Sequence, residues 1–131
     1  AAGRGSIINL GSVGGVTALG RGNIAYSAAM GGVIQMTREL STEWGSRNVR
    51  VNAILPAQVI NPGLEQRMKE DPTLEAMFLR GIPMGRLGQP DDIKGLAIFL
   101  ASDASAWITG AIIPMDGGNL AQNAGGTAGK G

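Results

Sequence analysis

Residues 12–30 read SVGGVTALGRGNIAYSAAM, a glycine-rich segment that leads into the start of a helical pattern. Ser12 opens the segment, and Tyr26, the single tyrosine of the chain, lies near its end. Residues four positions apart share one face of a helix, so Tyr26 and Met30 are expected to point the same way. Taken singly, a serine in a glycine-rich turn indicates turn chemistry, and a tyrosine at a helix start indicates packing. Ser12 and Tyr26 indicate a functional site only if further motifs in the chain match the same pattern.

The flanking sequence predicts a strand before this segment and a long helix after it. Gly5–Leu10 is a short apolar run rich in β-branched residues, which is typical of a buried parallel strand. Residues 25–44 carry apolar side chains at helical spacing and small residues that would let a second backbone approach closely. Residues 20–25 (GRGNIA) imitate a dinucleotide-binding fingerprint, but we reject the match because it does not directly follow a strand.

Strands and helices continue to alternate downstream. The predicted elements are a strand over residues 48–55, an irregular helical segment over 64–80, a helix over 90–102 and a strand over 111–115. Pro72 interrupts the irregular segment and is expected in the first turn of a second short helix. This order predicts an α/β architecture with parallel strands and right-handed crossovers.

Composition excludes several classes of function. The 131 residues suit one domain, with 44% hydrophobic and 16% charged residues. A net charge of +1 gives no indication of a nucleic-acid partner. The chain contains no cysteine and no histidine, so disulfides, thiolate catalysis and His- or Cys-based metal sites are excluded, and no metal is expected. Without a long apolar run or a signal-peptide pattern, we expect a cytoplasmic protein with no membrane partner.

Several of these segments together resemble the short-chain dehydrogenase/reductase family. Residues 9–12 (NLGS) and 26–32 (YSAAMGG) are similar to its active-site region, and residues 86–118, with the motifs RLG, ITG and DGG, to its C-terminal region. The resemblance implies the C-terminal half of a doubly wound parallel Rossmann sheet, with about three strands, two main helices and a short helical lid. Residues 1–118 would form this partial domain, and residues 119–131 a flexible tail rich in Gly, Ala and Asn.

The family's first half, with its glycine-rich cofactor loop, has no counterpart in this sequence, and the chain begins with Ala1, so we expect a fragment. Three strands and two helices are expected to leave one sheet face and one strand edge uncovered. An open edge invites pairing with another chain. We therefore expect a homo-oligomer, or else a chain that swaps elements or is only marginally stable alone.

The resemblance assigns roles to three residues. Tyr26 would be the proton donor and Ser12 the ligand of the substrate oxygen, and Met30 occupies the position of the family's lysine. Hydride transfer to a carbonyl builds negative charge on oxygen, and a tyrosine hydroxyl has an ordinary pKa of about 10. An ammonium about 4 Å away contributes roughly 4 kcal/mol at an effective dielectric near 20. Methionine supplies no charge, so this chain alone is predicted to be inactive.

The resemblance also indicates a cofactor-binding segment. The family's Pro-Gly-x-Val-x-Thr pattern, which lies near the nicotinamide and a phosphate, appears here with Pro56, Ala57, Val59 and Asn61. Together with Tyr26, these residues are the predicted contacts of NAD or NADP. Ala57 adds a methyl group where backbone would approach the ligand. The residues that would distinguish NAD from NADP belong to the first half of the family.

In the family, the irregular segment 64–80 is a mobile lid over the substrate pocket. Its larger apolar side chains could line that pocket or belong to the core, and we expect most of them in the core: Met68, Leu74, Met77 and Phe78.

The leading interpretation is a family oxidoreductase that transfers hydride between NAD(P)(H) and a small-molecule secondary alcohol or ketone. The alternative is a truncated or degenerate relative that acts as a non-catalytic oligomerisation or binding module. A third interpretation is a partial sequence of an ordinary enzyme that carries a variant residue at position 30.

Overall fold

The computed structural model describes residues 3–122, which form a three-stranded parallel sheet with a helix on each face. The α/β class and the partial Rossmann sheet predicted from the sequence are confirmed. The strands are Gly5–Leu10 (β1), Val49–Pro56 (β2) and Ile112–Met115 (β3), and the helices are Ile24–Trp44 (α1), Pro62–Glu70 (α2), Leu74–Leu79 (α3) and Pro90–Ala101 (α4). No helix in this part of the chain is long and apolar enough to cross a membrane.

Strand β2 lies at the centre of the sheet and is its longest and most buried strand. It pairs with β1 from Gly5↔Val49 and with β3 from Ala53↔Ile112, both in parallel. Its one buried polar side chain is Asn52, which is fully buried and fully used. Asn52 Nδ2 donates to Ile108 O (3.0 Å), and its Oδ1 accepts from Ala111 N (2.9 Å), so Asn52 holds the segment that leads into β3.

Helix α1 covers the sheet face formed by the odd-numbered residues of β1 and β2. Ile34 packs with Ala53 and Leu55 in one core cluster. Thr37 is fully buried, and its hydroxyl receives a hydrogen bond from Asn9 Nδ2 (3.0 Å). Since successive side chains of a strand point to opposite faces, these contacts all lie on one side of the sheet.

Helix α4 covers the opposite face. Leu100 is fully buried, and its carbonyl oxygen accepts from Ser6 Oγ (2.7 Å) and Arg50 Nη2 (2.8 Å). Ser6 and Arg50 are register partners on even-numbered positions of β1 and β2. The expectation of an uncovered face is therefore wrong where Ser6 and Arg50 bind the end of α4. At the carboxyl end of β1, Leu10 on this face is 62% exposed. Among the described residues the far edge of β1 has no partner strand.

Element boundaries differ from the predicted ones by one or two residues, for local reasons. Strand β2 begins after Asn48 because Asn48 is left-handed (φ 59°), which ends the preceding turn. The segment predicted over 64–80 begins earlier, at Pro62, because Asn61 caps the helix and proline suits its first turn. Helix α1 begins one residue before position 25. Helix α4 ends one residue before position 102, and β3 begins one residue after 111.

The predicted lid consists of the two short helices α2 and α3. Asp71 Oδ1 accepts from Thr73 N (3.0 Å) and from Thr73 Oγ1 (2.6 Å), and the side-chain hydrogen bond in particular lowers the pKa of Asp71. This local turn keeps Pro72 out of the helix, so its predicted place in the first turn was wrong, and α3 begins at Leu74.

A separate apolar cluster lies under the lid and includes Leu74 and Phe78, with Met68 packed against it. The core prediction was therefore right for these three side chains. Met77 is the exception and is 45% exposed, so the expectation that most of the four lie in the core is confirmed. Residues 119–122 of the predicted tail continue in hydrogen-bonded turns, with Leu120 N donating to Asp116 Oδ2 (2.7 Å). The remainder of that tail, 123–131, lies outside the described residues.

A short turn after β1, Val13–Gly15, lies directly against α1. A Cβ atom on residue 15 would stand 2.6 Å from the carbonyl carbon of Met30 and 2.7 Å from its oxygen. Helix backbone cannot move aside as a flexible side chain can. Glycine at position 15 therefore sets the distance between the turn and the helix.

We predict that Gly15→Ala destabilises the chain by about 1–3 kcal/mol, because the added methyl group overlaps main chain in a packed interior. Gly32→Ala is the matched control, since nothing lies within 4 Å of its Cβ position. It should be neutral or stabilising by up to about 1 kcal/mol through helix propensity. Denaturant unfolding of both variants measures the difference, and equal stabilities would contradict the close contact.

The start of α4 predicts an acid-sensitive contribution to stability. Arg86 donates two hydrogen bonds to Asp92 (2.7 and 2.9 Å) and Gln89 N donates a third (2.7 Å), which lowers the pKa of Asp92 from 3.8 to about 2. A lowered pKa stabilises the fold above pH 3.8, and this stabilisation is lost as the pH falls through about 2.

Asp92→Asn should therefore lower the melting temperature at pH 7, and the difference from the parent chain should shrink between pH 4 and pH 2. Glu43→Gln, at an exposed position of α1, is the control and should show no such convergence. Thermal melts across this range provide the measurement. A constant difference between Asp92→Asn and the parent chain down to pH 2 would refute the assignment.

Candidate active site

A cleft of about 690 Å³ opens at the carboxyl ends of β1 and β2. This is the edge of an open α/β sheet where ligands bind, because the loops that leave the parallel strands meet there. The cleft is walled by the loop after β1, the first turn of α1, the loop after β2 and the lid. Five of the seven predicted site residues line it: Ser12, Tyr26, Ala57, Val59 and Asn61.

Ser12 is held at the floor of the cleft by the turn that it begins. Its side chain is buried, and Oγ accepts a hydrogen bond from Gly14 N (3.1 Å). The serine thus has the turn role that its sequence context indicates. A hydroxyl can donate as well as accept, so the proton of Ser12 remains available to a substrate oxygen in the cleft.

Tyr26 approaches Ser12 from the first turn of α1. A Cβ atom on residue 14 would stand 3.4 Å from Ser12 Oγ and 3.4 Å from Tyr26 Cε1, so the hydroxyl and the ring edge converge on the same point. Tyr26 is 41% exposed, with its ring on the cleft wall. Glycine at position 14 leaves room for the convergence.

Met30 and Pro56 are not on the cleft wall. Met30 follows Tyr26 by one turn of α1 and is partly buried, and its backbone is the part that contacts Gly15. Pro56 is the last residue of β2, where it pairs with Met115 of β3.

The loop after β2 is fixed by main-chain hydrogen bonds. Ala57 N donates to Met115 O (3.2 Å), and Gly88 bridges the loop by donating to Gln58 O and accepting from Ile60 N (2.9 Å each). These bonds hold the 57–59 segment rigidly along one side of the cleft. A second cavity of about 340 Å³ lies beyond the loop towards β3, and neither Ser12 nor Tyr26 lines it.

Asn61 caps helix α2. Its Oδ1 accepts from Leu64 N (3.0 Å), and its Nδ2 donates to Val59 O (2.9 Å). Both polar atoms thus have local partners, so binding of a phosphate by Asn61 would use the second Nδ2 hydrogen.

Two arginines on the cleft wall were not identified from the sequence. Arg21 lies in the glycine-rich loop before α1, and Arg67 lies on α2. The available signal was that Arg21 is the only charged residue between positions 11 and 23. Arg67 follows the buried Leu64 by three positions, which places the two on neighbouring parts of one helix face.

Comparison with known proteins identifies the family. A family model described as enoyl-(acyl carrier protein) reductase matches residues 1–119. Galactitol 2-dehydrogenase (L-tagatose-forming) from Cereibacter sphaeroides is 46% identical over 120 residues, which cover 90% of this chain and 46% of that protein. The chain spans about half the length of the curated relatives it matches.

Solved structures agree with this match. An oxidoreductase of the short-chain dehydrogenase/reductase family from Burkholderia thailandensis superposes with a TM-score of 0.85 at 42% identity, over 92% of this chain and 47% of that one. A putative 2-deoxy-D-gluconate 3-dehydrogenase from Agrobacterium tumefaciens, with bound NADP, superposes at 0.83 and 34% identity, over 91% and 48% of the two chains. This chain therefore belongs to the short-chain dehydrogenase/reductase family of NAD(P)-dependent oxidoreductases.

Proposed function

We propose that this chain forms the nicotinamide and substrate half of an enzyme that transfers hydride between NAD(P)(H) and a secondary alcohol or ketone. The observation that carries the proposal is the convergence of the Ser12 hydroxyl and the Tyr26 ring on one wall of the cleft at the carboxyl ends of the strands. A hydride acceptor such as a ketone needs both a hydrogen-bond donor and a proton at its oxygen, and these two side chains can supply them.

In this proposal Tyr26 donates the proton to the substrate oxygen in reduction and takes it back in oxidation. Ser12 orients that oxygen through its free hydroxyl proton while Gly14 N holds Oγ in place. The nicotinamide, when bound, supplies or accepts the hydride. Lid residues such as Phe78 bound the cleft on the far side and reduce the access of water.

The described residues fit the nicotinamide end of the cofactor. The rigid 57–59 segment lines the cleft, and within residues 3–122 the Val59 N–H donates to no acceptor. It is therefore available to the carboxamide oxygen of a nicotinamide. The glycine-rich loop between β1 and α1 carries Ser12 and Arg21 and lines the substrate side of the cleft. The pyrophosphate and adenosine would therefore need a further segment, as in relatives of twice this length.

The absence of charge at position 30 favours a second candidate, a family member with little or no catalytic activity. Met30 follows Tyr26 by one turn and has no ammonium to stabilise negative charge on the tyrosine oxygen. The open edge of β1, with Leu10 62% exposed, suits an oligomerisation or binding module.

Met30→Lys separates these two candidates. We predict that it raises kcat/KM on the order of 100-fold or more, because an ammonium near the tyrosine oxygen contributes roughly 4 kcal/mol at an effective dielectric near 20. The substitution would be made in the chain joined to the N-terminal half of one of the relatives above, and assayed by NAD(P)H absorbance with a panel of alcohols and ketones.

Met30→Lys combined with Tyr26→Phe is the control, and it should remove the gain because the proton donor is lost. No gain from Met30→Lys in a folded protein that binds cofactor would refute the assigned role of position 30. A gain that survives Tyr26→Phe would refute the assigned role of Tyr26.

We further propose that the chain forms homo-oligomers, since within residues 3–122 the far edge of β1 has no partner strand and the surface of α1 carries exposed Met36 (46%). Light scattering after size exclusion should give a mass above the 13.4 kDa of one chain. A monodisperse monomer that melts cooperatively would contradict this proposal.

A further inference from the structure

We propose that the cleft selects an alcohol or ketone that carries an anionic group, a carboxylate or a phosphate, and that Arg21 and Arg67 bind this group. The inference rests on the proposed function, because it names the substrate class of the same cleft. It follows from the charges that line the cleft and from the way in which one of them is positioned.

Arg21 is positioned by an aromatic side chain of the lid. The Cζ atom of Arg21 lies 5.1 Å from the centre of the Phe78 ring, within the range of a cation–π contact. Phe78 is only 5% exposed and belongs to the core cluster under the lid, so it is a fixed support. When a guanidinium stacks on an aromatic ring, its N–H groups point outward in the plane of the guanidinium, where they are free to bind a ligand.

Arg67 reaches the same cleft from helix α2. Leu64, three positions earlier, is buried in the cluster under the lid and also lines the cleft, so this face of α2 is turned towards it. The two carboxylates of α2, Glu65 and Glu70, are not on the cleft wall. One of them, Glu70, accepts a hydrogen bond from Gln66 Nε2 (2.8 Å).

The cleft is therefore positively charged in a chain that is nearly neutral. Two arginines line it and, among the described residues, no Asp or Glu does. The net charge of the whole chain is only +1, so general basicity does not explain the arrangement. Within residues 3–122 neither arginine forms an ion pair, whereas Arg4 and Arg86 are both paired with aspartates.

Arginine binds carboxylate and phosphate in a planar, bidentate manner that lysine cannot reproduce. Ser12 and Tyr26 occupy the same cleft and offer donors to a hydroxyl or carbonyl oxygen. A molecule that places an alcohol or ketone at Ser12 and Tyr26 and an anion at the arginines would satisfy both groups of side chains.

The test measures ligand binding without turnover. Three probes would be titrated by calorimetry into the 131-residue chain and into the chain joined to a relative's N-terminal half: 3-hydroxybutyrate, its neutral methyl ester and glycerol 3-phosphate. We expect at least one of the two anions to bind about tenfold or more tightly than the ester, since charge-assisted hydrogen bonds are the stronger ones. The preferred anion distinguishes carboxylate from phosphate.

Arg21→Gln and Arg67→Gln should each weaken binding of the preferred anion about tenfold and leave the ester unchanged. Arg67→Lys keeps the positive charge, so it should weaken binding of the anion less than Arg67→Gln does. Arg38→Gln, at an exposed position of α1 away from the cleft, is the matched control and should have no effect. All three arginines are on the surface, so the variants should fold, and a thermal melt of each checks this.

The inference is overturned if the ester binds as tightly as both anions, if Arg38→Gln weakens the anion as much as the cleft variants do, or if the cleft variants weaken only NADH or NADPH. Failure of the proposed function has a different signature. In that case the arginine-dependent preference for anions persists, but no probe is oxidised with NAD or NADP even in the Met30→Lys variant.

Discussion

The backbone contact between Gly15 and Met30 is the constraint on which the candidate site depends. It presses the turn after β1 against the first turns of α1 at a distance that excludes any Cβ atom. Ser12 begins that turn, and Tyr26 lies one helical turn before Met30. The spacing between the backbone segments that carry these two side chains is thus limited by a main-chain contact.

Met30 contacts the turn after β1 through its backbone, whereas in the proposed reaction it is the side chain at this position that would matter. The cleft shape, the serine and the tyrosine require only that residue 30 be helical. A positive charge is needed only when negative charge develops on oxygen. Under the proposed function, the fold would therefore tolerate methionine at position 30 even if the activity did not.

Much of the fold could be predicted from the sequence because it depends on local patterns. The apolar run of β2, the helical period of α1 and the Pro90 start of α4 each indicate their element, and together they give the parallel sheet. The sequence alone does not show that Asn61 caps α2 or that Asp71 and Thr73 form a turn before α3. Several nearby residues could have begun or ended those helices. The coverage of the second sheet face depends on long-range hydrogen bonds of Ser6 and Arg50, which no local pattern shows. Likewise, the contact that positions Arg21 is with Phe78, 57 positions later in the chain, and no local pattern shows it.

The central claim is that this cleft completes a nicotinamide site. The most direct test is a fluorescence titration with NADH and NADPH, alongside a thermal melt, of the chain joined to the N-terminal half of a relative. The account predicts saturable binding of at least one nucleotide that raises the melting temperature, because a ligand that binds only the folded state stabilises it. A cooperative melt that neither nucleotide shifts at saturating concentration would contradict it.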